Sequence, residues 1–101
     1  MIIISESLYP SESAEKIVKL ISEIPPLPDF ISLKGPYARF ITGSRIKSIS
    51  IYEFGEDKFI KAFEYIAKRL TSCDGVTGFT YNTKIWYEEL KLFSLDIRVK
   101  T

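Results

Sequence analysis

The sequence predicts an α+β domain in which two helices cover one face of a four-stranded antiparallel sheet. The main observation is the order of the hydrophobic patterns, which reads strand, helix, strand, strand, helix, strand. Right-handed crossover connections then place both helices on the same side of the sheet. A length of 101 residues, with no internal repeat or linker, fits a single domain over 1–101.

The first strand and the first helix are predicted at 2–8 and 11–24. Ile2, Ile3 and Ile4 are consecutive β-branched residues, which favours a buried strand. Residues 11–24 have apolar side chains at helical spacing and begin with Ser11, a favourable N-cap. Prolines end this helix, and we interpret 25–28 as a rigid connection; a polyproline ligand is the alternative.

A β-hairpin is predicted next. Residues 30–34 and 38–41 are extended, and the intervening Gly35-Pro36 predicts an edge strand or a bulge. A turn at 43–44 leads into 45–54, the clearest strand of the sequence.

Alternation along 45–54 predicts which side chains face the helices. Ile49 and Ile51 are the natural residues to pack beneath a helix layer. The opposite, uncovered face then receives two small hydroxyl residues and two aromatic residues: Ser48, Ser50, Tyr52 and Phe54. That mixture suits an interface or a pocket.

The second helix is predicted at 56–70 and the fourth strand at 79–85. Phe63 and Ile66 lie in the middle of the apolar stripe of the helix, so we expect them to anchor it on the sheet. Residues 86–101 are a C-terminal extension. Within it, 86–95 forms a short helix or an extended segment, and 97–99 adds an edge strand.

Four short segments carry a resemblance to known proteins. They read Pro25-Pro26-Leu27-Pro28-Asp29-Phe30, Lys34-Gly35-Pro36-Tyr37, Ile51-Tyr52-Glu53-Phe54 and Gly78-Phe79-Thr80-Tyr81. With the element order, they make the chain resemble small uncharacterised prokaryotic proteins of the dimeric α/β-barrel group. The resemblance implies a ferredoxin-like βαββαβ sandwich whose sheet packs on that of a second copy. The group includes cofactor-free monooxygenases, haem-handling enzymes and isomerases, so it implies no single reaction.

Composition restricts the classes of function. Fourteen basic residues against thirteen acidic ones give a net charge of +1, which predicts no affinity for nucleic acid or an anionic membrane. The absence of histidine excludes histidine-dependent catalytic triads and histidine-ligated metal or haem within this chain. Cys73 is the single cysteine, so no internal disulfide forms. We therefore expect a cytoplasmic protein with neither a signal peptide nor a resident cofactor or metal.

Charged side chains suggest two possible sites, each with a simpler interpretation. Glu6 and Glu53 lie within predicted strands, either as buried acids facing a cavity or, as we prefer, as solvated carboxylates. A run of basic residues follows the predicted hairpin: Lys34, Arg39, Arg45 and Lys47. These cations either bind a small anion or, as we prefer, keep the hairpin edge solvated.

The residues thus favour a homodimer that binds a small apolar or aromatic ligand between its sheets. The expected ligand contacts are hydroxyl and aromatic side chains: Ser48, Ser50, Tyr52, Phe54, Tyr81 and Trp86. No catalytic residue is assigned. The alternative is a cofactor-independent monooxygenase or isomerase that uses polar groups of the same cavity: Tyr52, Tyr81, Glu53 or Glu6, with Trp86 as a further candidate.

Overall fold

The computed structural model describes residues 1–90. The strands are β1 (Ile2–Pro10), β2 (Ser32–Ile41), β3 (Arg45–Glu53) and β4 (Thr80–Trp86), and the helices are α1 (Ala14–Ser22) and α2 (Phe59–Thr71). A short 3₁₀ turn precedes each helix, at Ser11–Ser13 and Glu56–Lys58. The predicted element order is confirmed. The strand predicted at 97–99, and the second half of 86–95, lie outside the described residues.

All neighbouring strands of the sheet are antiparallel. The strand order is β2-β3-β1-β4, which is consistent with a ferredoxin-like βαββαβ topology. β1 is a central strand, and its Ile3 lies opposite Tyr52 of β3 and Ile85 of β4. The predicted fold class is therefore confirmed.

β2 is an edge strand with an irregularity where the sequence predicted one. Its register with β3 shifts between Lys34 and Tyr37. Gly35 has a φ of +97°, and a Cβ atom there would lie 2.9 Å from the carbonyl oxygen of Ile49. A side chain is therefore excluded both by the backbone conformation and by the close approach of β3.

The core lies between the sheet and the helices and is divided into two clusters. One cluster joins α2 to one end of the sheet: Ile3, Ile31, Tyr52, Phe54, Ala62, Ile66 and Leu70. The second joins α1 and the segment after α2 to the other end: Tyr9, Ile17, Cys73 and Val76. Because both helices contribute to clusters on this one face, the opposite face is uncovered by residues 1–90. We call that opposite side the open face.

The face predicted for β3 is wrong by one residue. Tyr52 is only 3% exposed and packs beneath α2, as does Phe54. Ile49 and Ile51 lie on the open face, opposite Glu6 and Ile4 of β1. Alternation alone could not decide the faces, because both sets of side chains in β3 contain large apolar groups.

The predicted anchor of α2 is half correct. Ile66 is 1% exposed, whereas Phe63 is 42% exposed and contacts Phe59 with its ring. Buried residues recur every fourth position at Ala62, Ile66 and Leu70, so Phe63 lies about 60° around the helix from the middle of the stripe they define.

We expect Ile66→Ala to reduce the free energy of unfolding by about 2–5 kcal/mol, because it leaves a cavity beneath α2. Phe63→Ala is the comparison on the same helix and should cost about 1 kcal/mol, as is usual for a partly exposed site. Urea unfolding of both variants checks this. Equal losses would show that Phe63 also anchors the helix.

Candidate functional site

The middle of the open face is apolar. Ile4 of β1 lies beside Ile51 of β3. Ile49 is two residues from Ile51 along β3 and lies on the same face. All three are partly buried by their strand neighbours alone. Tyr37 of β2 and Trp86 of β4 lie on the same face near its two edges, and both are exposed. The centre of the sheet therefore presents branched aliphatic side chains on the side that the helices do not cover.

One ion pair lies within this apolar area. The Lys47 Nζ is 2.9 Å from the Glu6 Oε1, and both side chains are partly exposed. The hydrogen bond and charge of Lys47 lower the pKa of Glu6, although burial opposes the shift. Further lowering comes from Asn82 and Lys84 on β4. Glu6 is thus an ion-paired carboxylate and not a buried acid with a raised pKa, and Glu53 is exposed.

The basic run of the hairpin is not free of acids in three dimensions. Arg39 and Lys47 lie side by side on β2 and β3, and Glu6 of β1 neutralises Lys47. Together with Tyr37 and Ile49 these residues line a depression of about 320 Å³. Binding of a small anion by the run stays a prediction.

The centre of the helix-facing side is built from serines instead. Ser5 and Ser7 of β1 lie directly opposite Ser50 and Ser48 of β3. They separate the two core clusters and line a cavity of about 100 Å³ between the sheet and the helices. We call this the serine cavity. Apolar residues of α1 and α2 complete its lining. Tyr52, Tyr9 and Phe79 contribute from the sheet side. Arg69 contributes from α2, and Cys73 from the segment that follows α2.

The structure divides the six predicted ligand contacts. Ser48, Ser50 and Tyr52 line the serine cavity, while Phe54 belongs to the core cluster beneath α2. Tyr81 lies opposite Ser7, at the edge of the helix-facing side. Trp86 alone among the six lies on the open face. Five of the six are therefore not on the uncovered side where we expected them, and their binding of a ligand stays a prediction.

Sequence reasoning missed Ser5, Ser7 and Arg69. The signal for the two serines was present, because they alternate with Ile4 and Glu6 in the first strand and so share the face of Ile3. Arg69 gave no such signal. Its place on the lining depends on how α2 rotates over the sheet, which helical periodicity alone leaves open.

Tyr9 closes one end of the serine cavity and belongs to the second core cluster. Burial raises the pKa of its phenol, and the nearby Cys73 thiol contributes in the same direction. The Tyr9 ring stacks on that of Phe79, with 6.4 Å between centroids. Tyr9 is therefore a neutral, packed wall of the cavity.

A larger depression of about 650 Å³ lies at the end of the sheet where β1 begins. Acidic side chains of four segments line it, Asp29, Glu53, Glu56 and Glu88, together with Phe30 and Trp86. Within residues 1–90 these acids form no cluster suited to a metal ion. In the same part of the chain, no helix has the length and apolar character needed to cross a membrane.

Comparison with known proteins supports the fold and no named family. No family model matches the chain, and no curated protein matches it. Among solved structures, the de novo designed protein Foldit4 is similar with a TM-score of 0.51 and 10% identity, covering 85% of this chain and 98% of its own. A DUF3240 family protein from Shewanella baltica OS155 has a TM-score of 0.40 and 14% identity, covering 87% of this chain and 92% of its own. At these identities the first likeness shows the fold alone, and the second is too weak to support an argument.

We expect Lys47→Met to raise the pKa of Glu6 toward its ordinary value, because it removes the main group that stabilises the carboxylate. In the native chain the lowered pKa favours folding above the ordinary carboxylate pKa, and this contribution is lost as pH falls through the lowered value. NMR titration of the Glu6 carboxyl measures the shift. Lys61→Met, on the exposed side of α2, is the matched control and should leave Glu6 unchanged.

Proposed function

We propose that the protein functions as a homodimer in which the open faces of two sheets pack against each other. One observation carries the proposal. The open face has isoleucines at its centre, at Ile4, Ile49 and Ile51, whereas the helix-covered face has serines at the equivalent depth of the sheet. Burial of the apolar open face against a partner therefore stabilises the protein more than burial of the serine-lined centre of the covered face does.

The size of the open face fits such a dimer. The sheet has four strands, and β1 is nine residues long. At ~4.8 Å between strands and ~3.3 Å per residue, the face measures roughly 19 Å by 30 Å. That is about 600 Å² before side-chain relief is counted, close to the ~800 Å² that each partner contributes to a standard interface. A second copy supplies a surface of the same size and character, which suits two-fold pairing.

The charges of the open face are compatible with burial against a second copy. The central charge of Glu6 is already compensated by Lys47, so covering this pair isolates no single charge. The remaining cations on this face lie at its margins: Lys34 and Arg39 on β2, Lys84 on β4, and Arg45 at the hairpin end of β3. Charged edges around an apolar centre are the usual arrangement of a protein interface.

Two depressions on the open face favour the binding of a small apolar or aromatic ligand between the two sheets. Both include Glu6 and Ile49, and they extend in opposite directions across the face. One reaches Tyr37 and has a volume of about 320 Å³; the other reaches Trp86 and has a volume of about 230 Å³. Each offers an aromatic ring together with the Glu6 carboxylate and a lysine, which favours a flat ligand with one polar group. The alternative, a cofactor-independent monooxygenase or isomerase, stays a prediction, as does a cytoplasmic location.

We expect the chain to sediment at twice its mass of 11.6 kDa at micromolar concentration. Ile49→Lys should shift it to the monomer, because it places a charge in the apolar centre of the open face. Ile60→Lys is the matched control, since Ile60 is 73% exposed on α2, and it should remain dimeric. Sedimentation velocity measures both variants, and far-UV circular dichroism verifies their folding.

A native chain that sediments only as a monomer would overturn the proposed dimer. A folded Ile49→Lys variant that stays dimeric would show that the copies meet elsewhere. If Ile49→Lys fails to fold, Ile51→Thr provides the same test, because threonine keeps a β-branched side chain while reducing the apolar surface.

A further inference from the structure

We propose that the serine cavity is a binding site for a small organic acid. The site is separate from the dimer surface, since it lies on the opposite side of β1 and β3, between the sheet and the helices. Three features carry the proposal: hydroxyl groups without partners, a cation without an acidic partner, and apolar walls around a small volume.

The hydroxyl groups are buried or partly buried, and none has a hydrogen-bond partner among the described side chains. Ser5 is 5% exposed, yet within residues 1–90 neither it nor Ser7, Ser48 or Ser50 has a side-chain hydrogen bond. No fully occluded side-chain oxygen in this part of the chain lacks a partner. The Ser5 hydroxyl must therefore retain some accessible surface, and the serine cavity is the space that it lines. Buried hydroxyls in native proteins are bonded to protein, water or ligand, so the hydroxyls of this cavity are available to a polar ligand.

The charge of the cavity favours an anion. Arg69 is partly buried on the lining and forms no salt bridge with any described residue. No residue of the lining is acidic. A guanidinium and several hydroxyl donors are the groups that hold a carboxylate, because hydrogen bonds to an ionised acceptor are short and strong.

The walls and the volume restrict the rest of the ligand. Ile17 and Ile21 of α1 and Leu70 of α2 are aliphatic, so the body of the ligand should be apolar. A volume of about 100 Å³ corresponds to roughly three water molecules at ~30 Å³ each. Only a short-chain acid fits, and propionate is a suitable probe because it combines a carboxylate with a two-carbon apolar tail.

The test is an NMR titration of the full chain with propionate in a buffer that contains no carboxylate, near neutral pH. We expect saturable shifts at the amides of Ser5, Ser50 and Arg69 and none at Ile60 on the outer side of α2. Propionamide, which has the same shape and no charge, should bind about tenfold more weakly. Sodium chloride at the same concentration should give no saturable shift.

Two variants test whether Arg69 supplies the positive charge that binds the carboxylate. Arg69→Gln should weaken propionate binding about tenfold or more, whereas Lys68→Gln should bind as the native chain does. Lys68 is the matched control because it is the adjacent cation of α2, is exposed and does not line the cavity. Ser50→Ala should weaken binding without changing the fold.

Several results would overturn the site. These are no saturable shift up to about 50 mM propionate, equal binding of propionamide, or native affinity in a folded Arg69→Gln variant. The first would mean that the serines hold water alone, and the other two would mean that the site does not select a carboxylate through Arg69. Sedimentation of the same samples reports the oligomeric state separately, so failure of the site and failure of the dimer are distinguishable.

Discussion

Two helices can cover only one face of a four-stranded sheet, and the rest of this structure depends on which face they cover. Ile3, Tyr52 and Ile66 decide it, because they pack together at one end and bring α2 onto their side of the sheet. Because side chains alternate along a strand, this choice also fixes the face on which every neighbouring residue lies. Ile4, Ile49 and Ile51 must lie on the open face, and the serines beside them in sequence must lie beneath the helices.

Much of the fold could be predicted from local signals. Prolines after α1, glycines in the hairpin and helical spacing in α2 are each readable within a few residues, and together they predict the element order. The irregularity at Gly35 could be predicted equally well, since a proline after glycine is poorly tolerated within a regular strand. These features succeed because the physical cause of each lies in the residues that show it.

The faces of β3 could not be predicted in the same way. Tyr52 and Phe54 on one side and Ile49 and Ile51 on the other are equally able to pack beneath a helix. The choice is made by Ile3 and the register of β1 against β3, which is a contact between residues about fifty positions apart. Helical periodicity had a similar weakness at Phe63, where the apolar stripe of the sequence is wider than the line that reaches the sheet.

The same alternation places the two proposed sites back to back on β3. Ser48 and Ser50 reach the serine cavity, while Ile49 between them reaches the open face. A small acid that rigidifies the serines would also order the backbone that presents Ile49, so occupancy on one side can alter affinity on the other. Such coupling needs no pathway of moving side chains, because the two sites share a strand. By thermodynamic reciprocity, any effect of the acid on dimer affinity must equal the effect of dimerisation on acid affinity.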